Sequence, residues 1–262
     1  MHFFEKVDAT CILFLVYIDH MKAIIPAAGY ATRLYPLTEN QPKALLDIWW
    51  KPMLLHCLEK IEQVDDVDEV HIVTNNKFTP HFENWLPKYK WRLNLFVYND
   101  GTLSNEDRLW AIGDIQFVIQ KAEIDDDILI VACDNLLEDS LIDLHELFLE
   151  KDAPCISVYD IGNLDAAKQM WVVEVDERWQ VISFVEKPSE PTSTLISTMI
   201  YMIDRNHKDI FQRCIEQWKD DNAGQVIQEL IELGDVYSLP LNWYRYDIGN
   251  KDQLDAARIV FG

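Results

Sequence analysis

Two cations and a glycine lie in one loop that follows a short apolar run. The run, residues 23–28, ends in small residues, and Gly29, Arg33 and Lys43 follow it. A buried strand that ends in small residues and a glycine can bring its backbone N–H groups close to phosphate oxygens. Arg33 and Lys43 would then supply the positive charge that a polyphosphate requires. The loop predicts a polyphosphate site, and a βα turn with two surface cations is the alternative.

The elements that must position this loop alternate between strands and helices. Strands are predicted at residues 23–27, 70–75, 93–98 and 128–133, with helices near 53–64, 79–86 and 109–121. This alternation is typical of a Rossmann-like α/β fold, a mainly parallel twisted sheet covered by helices, with its ligand at the carboxyl ends of the strands.

After about residue 155 the predicted strands follow one another closely, which indicates a partly antiparallel extension. These strands are predicted at residues 155–161, 171–175, 181–186 and 195–202, and a polar helical stretch near 206–233 precedes strands at 237–241 and 244–248.

Charge and cysteine content exclude several classes of protein. The formal charge of −22 over 262 residues leaves no basic stripe for a nucleic acid. Five cysteines without a CxxC pair and seven histidines without metal-ligand spacing are typical of reduced thiols in a cytoplasmic protein. The apolar run at residues 11–18 is too short to span a bilayer, so no membrane partner is expected.

The segment from Gly29 to Lys43 resembles the signature of the sugar-1-phosphate nucleotidyltransferases, G-x-G-T-R-L-x-P-x-T followed by P-K. The resemblance covers residues 21–261 and is nearest to glucose-1-phosphate thymidylyltransferase. It implies transfer of a nucleotidyl group from a nucleoside triphosphate to a sugar 1-phosphate, with release of pyrophosphate. Members often form dimers or tetramers, so a homo-oligomer stays open.

The same resemblance suggests how the chain is organised. Residues 21–262 would form a single domain, with a nucleotide half at about 21–150 and a sugar-binding half at about 151–262. Because Met21 directly begins a predicted strand, residues 1–20 are hypothesised to be a non-native or dispensable extension.

The resemblance implies which residues bind the nucleotide. They are Ala27, Ala28, Gly29, Tyr30, Ala31, Thr32, Arg33, Asn99, Gly101 and Trp110. Residues 99–105 stand in place of the family's base-recognition loop, but its usual glutamine-rich form is absent. The base preference therefore does not carry over from the thymidylyl or uridylyl enzymes.

The family's Gly-Asp-Asn motif, which supplies a magnesium ligand, corresponds here to Asp134-Asn135. Asp247 lies in a segment that resembles the family's W-x-D-I/T-G-T/D. Magnesium takes one or two carboxylates together with phosphate oxygens and water, so this pair would suffice for Mg²⁺. Either aspartate alone could equally be a helix N-cap or a turn residue.

The sugar side is implied by three further matches. Glu186-Lys187-Pro188 matches the family's E-K-P, in which the glutamate binds sugar hydroxyls and the lysine holds the sugar phosphate. Thr198 lies in a segment that resembles S/N-T-G-I-Y, and Trp171 stands at the glycine of G-V-V-E. Met199 breaks the first of these two patterns, which leaves the sugar contacts there open.

Four side chains would then carry the reaction, an in-line attack on the α-phosphorus. Arg33 would hold the leaving pyrophosphate, and Lys43 would bridge the phosphates near the α-position. Magnesium on Asp134 would polarise the α-phosphate, and Lys187 would align the attacking phosphate. Because a phosphate dianion is already a nucleophile, no general base is needed.

Tryptophan is unusually frequent and glycine is scarce. The chain has nine tryptophans and eight glycines, against about 18 glycines at average usage. Five tryptophans stand where related sequences carry glycine: Trp49, Trp50, Trp110, Trp171 and Trp179. One hypothesis explains all five, namely UGA codons translated as tryptophan that the source organism reads as glycine. The alternative is a divergent paralogue with a reshaped or inactive pocket.

Other functions stay open beside the leading one. The acceptor could be an alcohol phosphate such as phosphocholine, and a cytidylyl or guanylyl donor is equally open. The chain could also be a non-catalytic sensor of nucleotide sugars, with Trp110 and Trp171 filling the pocket. A dinucleotide-binding oxidoreductase is excluded because no GxGxxG is present.

Overall fold

A nine-stranded mixed sheet forms the centre of the protein. The computed structural model describes residues 20–217, 224–242 and 245–260. The strands are β1 (Met21–Pro26), β2 (Asp47–Ile48), β3 (Lys51–Pro52), β4 (Val67–Thr74), β5 (Asn94–Asn99), β6 (Asp127–Val131), β7 (Asn135–Leu137), β8 (Cys155–Asp160), β9 (Trp171–Val175), β10 (Val181–Glu186), β11 (Leu195–Ile203), β12 (Tyr237–Pro240) and β13 (Arg245–Asp247). The α-helices are α1 (Met53–Ile61), α2 (Thr79–Trp85), α3 (Trp110–Lys121), α4 (Ile142–Lys151), α5 (Leu164–Ala167), α6 (Ile210–Gln217), α7 (Gly224–Leu233) and α8 (Lys251–Val260).

The first half of the sheet is parallel. Strand β1 pairs with β6 on one side and with β4 on the other, and β4 pairs with β5, all in parallel. Ala23 and Ile25 of β1 pack into one hydrophobic cluster, whereas Ile24 packs into a second cluster that contains residues of α3, α6 and α7. Strands buried on both faces are nearly continuous in apolar residues, which is why residues 23–25 lack a polar alternation.

The second half of the sheet is largely antiparallel, as the sequence predicts. Strand β11 pairs antiparallel with β6, β8 and β9, and β9 pairs antiparallel with β10. Strand β12 is an exception, since it pairs in parallel with β8. Because β11 lies directly beside β6, the antiparallel half continues the same sheet that carries β1.

A small two-stranded sheet brings the C-terminal segment to the end of β6. Strand β13 pairs antiparallel with β7, and this pairing sets Asp247 opposite Asn135. Leu254 of α8 and Ile248 pack in a third cluster with Leu34, which follows the first strand. The segment after β13 is thereby fixed beside the loop that follows β1.

Three outcomes of the sequence analysis concern element boundaries. Strand β1 begins at Met21, as predicted, whereas residues 1–19 and the hypothesis about them lie outside the described residues. The predicted helical stretch near 206–233 contains two α-helices rather than one, α6 and α7. Within the described ranges, no helix combines the length and the apolar character needed to cross a bilayer.

Candidate active site

The loop after β1 is held by backbone and side-chain hydrogen bonds on both sides. The Ala27 N–H donates to the carbonyl of Val73 at 2.8 Å, and Nδ2 of Asn75, a fully buried side chain, donates to the carbonyl of Ala28 at 2.7 Å. The hydroxyl of Thr38 donates to the carbonyl of Ala31 at 2.8 Å. The loop is therefore fixed at both ends before any ligand binds.

A cleft of about 500 Å³ opens above this loop, at the carboxyl ends of β1 and β6. Residues 26–34 line one side of it, together with Lys43, Trp110 and Asp134. The structure thus brings together the predicted nucleotide loop, one predicted phosphate-binding lysine and one predicted metal ligand. Met199 of β11 and Gly249, which follows β13, complete the wall on the other side.

An ion pair lies in this cleft. The ammonium nitrogen of Lys43 is 2.8 Å from Oδ2 of Asp134, and their side chains are 18% and 36% exposed. Lys43 begins a 3-10 helix, Lys43–Leu45, and Asp134 follows β6, so the pair joins segments that are 91 positions apart. Nδ2 of Asn135 lies 3.3 Å from Oδ1 of Asp134 and 2.9 Å from the carbonyl of Thr198.

Cys133 precedes this aspartate and lines the same cleft. Its side chain is buried, and burial together with the charge of Asp134 raises the pKa of the thiol to about 12. The sulfur is therefore a protonated, apolar part of the wall rather than a nucleophile.

The backbone also brings residue 247 to the ion pair. The pairing of β13 with β7 sets Asp247 opposite Asn135, and the Ile248 N–H donates to the carbonyl of Asp134 at 3.1 Å. The side chain of Asp247 lies outside the part of the chain that the structure describes. The magnesium pair of Asp134 and Asp247 therefore stays a prediction that the backbone register permits.

Arg33 lines the cleft with an exposed side chain, and no ion pair joins it to another residue in the described ranges. A second arginine in the cleft, Arg108, was not singled out from the sequence. Its guanidinium carbon lies 3.4 Å from the ring centre of Trp110, and Nη1 donates to the carbonyl of Asn105 at 2.6 Å. The signal for this contact in the sequence is an arginine two positions before a tryptophan at the start of a predicted helix.

Several further residues of the cleft wall were not named as site residues from the sequence. They are Asn105, Ala111, Asp114, Cys133 and Gly249. Each lies in or beside a segment that resembles a family motif, but no role was assigned to it from the sequence.

Asn99, the last residue of β5, and Gly101, in the loop that follows it, do not line the cleft. Oδ1 of Asn99 accepts from the Gly101 N–H at 2.9 Å, and Gly101 has a φ of 83°, a value that favours glycine. The hydroxyl of Tyr30 donates to the carbonyl of Thr102 at 3.4 Å, which links this loop to the predicted nucleotide loop. Burial raises the pKa of Tyr30, so the hydroxyl stays protonated.

The predicted sugar-side residues do not line this cleft. The Trp171 ring packs 5.0 Å from that of Phe184, and Nζ of Lys187 pairs with Glu186 at 2.7 Å on an exposed edge of the sheet. Thr198 is fully buried, and its hydroxyl lies against Ser157. The structure therefore brings Arg33, Lys43 and Asp134 to one cleft but leaves the predicted sugar-side residues dispersed.

Comparison with known proteins identifies the family. The family described as nucleotidyl transferase matches residues 22–259. The bifunctional protein GlmU of Methanocaldococcus jannaschii is 34% identical over 249 residues, which cover 92% of this chain and 54% of the relative. The UTP--glucose-1-phosphate uridylyltransferase AglF of Haloferax volcanii is 24% identical, with 90% of this chain and 95% of AglF covered.

The fold is also that of a solved enzyme. A UDP-glucose pyrophosphorylase complexed with UDP-glucose superposes with a TM-score of 0.78 and 18% identity, over 92% of this chain and 98% of that one. The chain spans about half the length of the GlmU relatives that it matches. By its sequence match along nearly all of the described residues, the chain belongs to the nucleotidyl transferase family, as the loop after β1 predicts.

Proposed function

We propose that this protein transfers a nucleotidyl group from a nucleoside triphosphate to a sugar 1-phosphate, giving an NDP-sugar and pyrophosphate. The observation that carries the proposal is the ion pair of Lys43 and Asp134 in a cleft walled by the Gly29–Arg33 loop. Membership of the nucleotidyl transferase family supports the class of reaction.

The cleft offers two kinds of group that a triphosphate needs, namely loop backbone and cationic side chains. The loop after β1 lines the cleft, and hydrogen bonds from the side chains of Asn75 and Thr38 to its backbone carbonyls fix its path. Lys43 contributes a cation at the floor of the cleft, and Arg33 contributes one at its exposed rim. Positive charge held in place before the reaction stabilises the developing charge on the phosphates without further reorganisation.

The reaction forms one bond and breaks one bond. An oxygen of the sugar phosphate attacks the α-phosphorus, and the bond from that phosphorus to the bridging oxygen of pyrophosphate breaks. Arg33 would neutralise the leaving pyrophosphate, and Lys43 would hold the α-phosphate oxygens. No protein group needs to remove a proton, because the attacking phosphate is already an anion.

Magnesium fits the acidic side of the cleft. The Asp134 side chain is one-third exposed and lines the cleft, and the pairing of β13 with β7 sets the backbone of Asp247 opposite Asn135, the neighbour of Asp134. One or two carboxylates with phosphate oxygens and water are the ligand set that Mg²⁺ prefers. When bound by these two residues, the ion would withdraw charge from the phosphate oxygens.

The relatives suggest which substrates to test first. The name of AglF specifies UTP and glucose 1-phosphate, whereas the loop resembles glucose-1-phosphate thymidylyltransferase. UTP and dTTP with glucose 1-phosphate are therefore the leading combinations. At the edge of the antiparallel half, Glu186 would contact hydroxyls of the sugar, and Lys187 would contact its phosphate.

The test is pyrophosphate release with Mg²⁺, across several nucleoside triphosphates and a panel of sugar 1-phosphates that also includes phosphocholine. We expect turnover with a pyrimidine triphosphate and a hexose 1-phosphate, and loss of turnover with EDTA. Asp143→Asn, an exposed carboxylate on α4, serves as the matched control for Asp134→Asn. Binding of an NDP-sugar without turnover in any combination would contradict the proposal and favour the sensor.

A further inference from the structure

Three tryptophans have a left-handed backbone. The φ angles of Trp49, Trp110 and Trp179 are 60°, 61° and 62°. Residues with bulky side chains are outliers there, because the side chain crowds the backbone, whereas glycine adopts this region freely. The described residues contain seven tryptophans, and these three are among the eight non-glycine residues with positive φ.

The turn at Trp179 shows that the fold imposes this backbone. The Trp179 N–H donates to the carbonyl of Asp176 at 3.1 Å, and the Trp179 carbonyl accepts from both the N–H and the hydroxyl of Ser238, at 2.8 and 3.0 Å. A change of φ at residue 179 would break these bonds. The backbone therefore keeps the conformation that suits glycine although a tryptophan is attached to it.

Trp49 lies in a two-residue hairpin loop between β2 and β3. Ile48 pairs with Lys51, so only residues 49 and 50 connect the two strands. Hairpin loops of this length need a positive φ at the first central residue, and glycine, asparagine or aspartate usually supplies it. Glycine therefore suits position 49, whereas a tryptophan there is strained.

The three side chains are not buried, so packing in the core does not offset the strain of the left-handed backbone. Trp49, Trp110 and Trp179 are 45%, 50% and 40% exposed. Trp85 is the matched contrast, since it is 8% exposed, lies in α2 and has a φ of −88°. A tryptophan that contributes to the core thus differs from these three in both burial and backbone conformation.

We infer that the cell that makes this protein inserts glycine at positions 49, 110 and 179. UGA specifies tryptophan in some genetic codes and glycine in others, so one codon assigned to the wrong amino acid accounts for all three positions. Trp50 and Trp171 have no positive φ and carry no part of this inference. Ala31 and Met199 also have positive φ. Reassignment of one codon from tryptophan to glycine does not change alanine or methionine codons, so the inference does not extend to these two residues.

Glycine at position 110 would change the cleft. The Trp110 ring lines the cleft and lies against Arg108, so its loss would widen the cleft and release the guanidinium towards a ligand. This consequence rests on the proposed function, whereas the identity of the three residues does not.

Mass spectrometry of a tryptic digest of the protein from its source organism tests the inference directly. The peptides that cover residues 44–60, 109–121 and 179–205 contain positions 49, 110 and 179, and the peptide of residues 78–88 contains Trp85. We expect the masses for glycine at 49, 110 and 179 and for tryptophan at 85. Tryptophan at the three positions would overturn the inference, and so would glycine at position 85.

Thermal unfolding supplies a second test that does not depend on activity. The recombinant triple variant W49G/W110G/W179G should unfold at a higher temperature than the chain with tryptophan, whereas Trp85→Gly should unfold at a lower one. A triple variant that loses stability as Trp85→Gly does would contradict the inference. If the peptides contain glycine and the glycine protein still shows no turnover, the proposed function fails while the inference stands.

Discussion

The two halves of the sheet differ in how they position their predicted functional residues. In the parallel half, the loop after β1, Lys43 and Asp134 meet in one cleft, with Lys43 and Asp134 in direct contact at 2.8 Å. In the antiparallel half, Lys187 is 58% exposed and pairs with its neighbour Glu186, while Thr198 is buried behind the wall.

The difference follows from strand direction. The carboxyl ends of parallel strands meet at one edge, so loops that are distant in the chain converge there. Antiparallel neighbours end at opposite edges, so their loops do not converge in the same way. The predicted phosphate side of the cleft is consequently held in place without a ligand, and the predicted sugar side is more open.

The largest effect should come from Asp134→Asn. The change removes the charge that the proposed Mg²⁺ needs and the partner of Lys43, so kcat should fall by roughly 10²–10³-fold, the scale of one preorganised electrostatic contact. Steady-state pyrophosphate release measures the loss, and calorimetric titration with Mg²⁺ in the presence of the triphosphate should show weaker binding. Asp143→Asn should retain normal rates. A rate for Asp134→Asn within twofold of that of the unaltered protein would show that Asp134 is not part of the site.

Lys43→Ala should rank second. Loss of the cation at the floor of the cleft should lower kcat by roughly 10²-fold, because Lys43 would contact the reacting phosphates. Combined with Asp134→Asn, the loss should be smaller than the product of the two single losses, since the two side chains share one interaction. Lys121→Ala, at the exposed end of α3, is the control. Fully multiplicative effects would show that the pair does not act as a unit.

Lys187→Ala should have a smaller effect, confined to the acceptor. Because the Lys187 ammonium is exposed and already paired, we expect about a tenfold rise in KM for the sugar 1-phosphate with kcat nearly unchanged. Lys168→Ala is matched, since Lys168 also forms an exposed ion pair, with Asp165 at 2.8 Å. A loss larger than that of Lys43→Ala would reverse the proposed contrast between the two halves.

Alkylation of Cys133 should have the smallest effect. With a thiol pKa of about 12, only roughly one molecule in 10⁴ carries the thiolate at pH 8, so iodoacetamide should leave the activity unchanged over hours. Mass spectrometry should find the peptide unmodified in the native protein and alkylated after unfolding in guanidinium. Rapid modification of the native protein would show that the cleft wall is more open than its burial indicates.

Most of the central sheet could be predicted from apolar runs and their turn residues. The strands at Trp171–Val175 and Val181–Glu186 match the predicted bounds, because each is a short run rich in β-branched and aromatic residues that is followed by a charged residue. Strand β7 and helices α4 and α8 were not predicted. Strand β7 is three residues long and exists through its pairing with β13, so it has no local signal of its own.

The site was predicted in part, for a similar reason. Gly29, Arg33 and Lys43 share one short segment, so a sequence motif can mark them together. Arg108 belongs to no such segment and lines the cleft because it directly precedes α3, which packs against β1. Residues contributed singly by distant elements leave no pattern that a reading along the chain can find.

The sequence by itself determined the family, the alternation of strands and helices in the first half and the loop that would bind phosphate, because these depend on local runs and contiguous motifs. Tertiary structure alone decided that Lys43 contacts Asp134 across 91 positions and that the sugar-side residues stay outside the cleft. It also decided that the backbone at residues 49, 110 and 179 is left-handed. Residue types set local preference, whereas distances between remote side chains and the φ of a constrained turn depend on how the strands pair and pack.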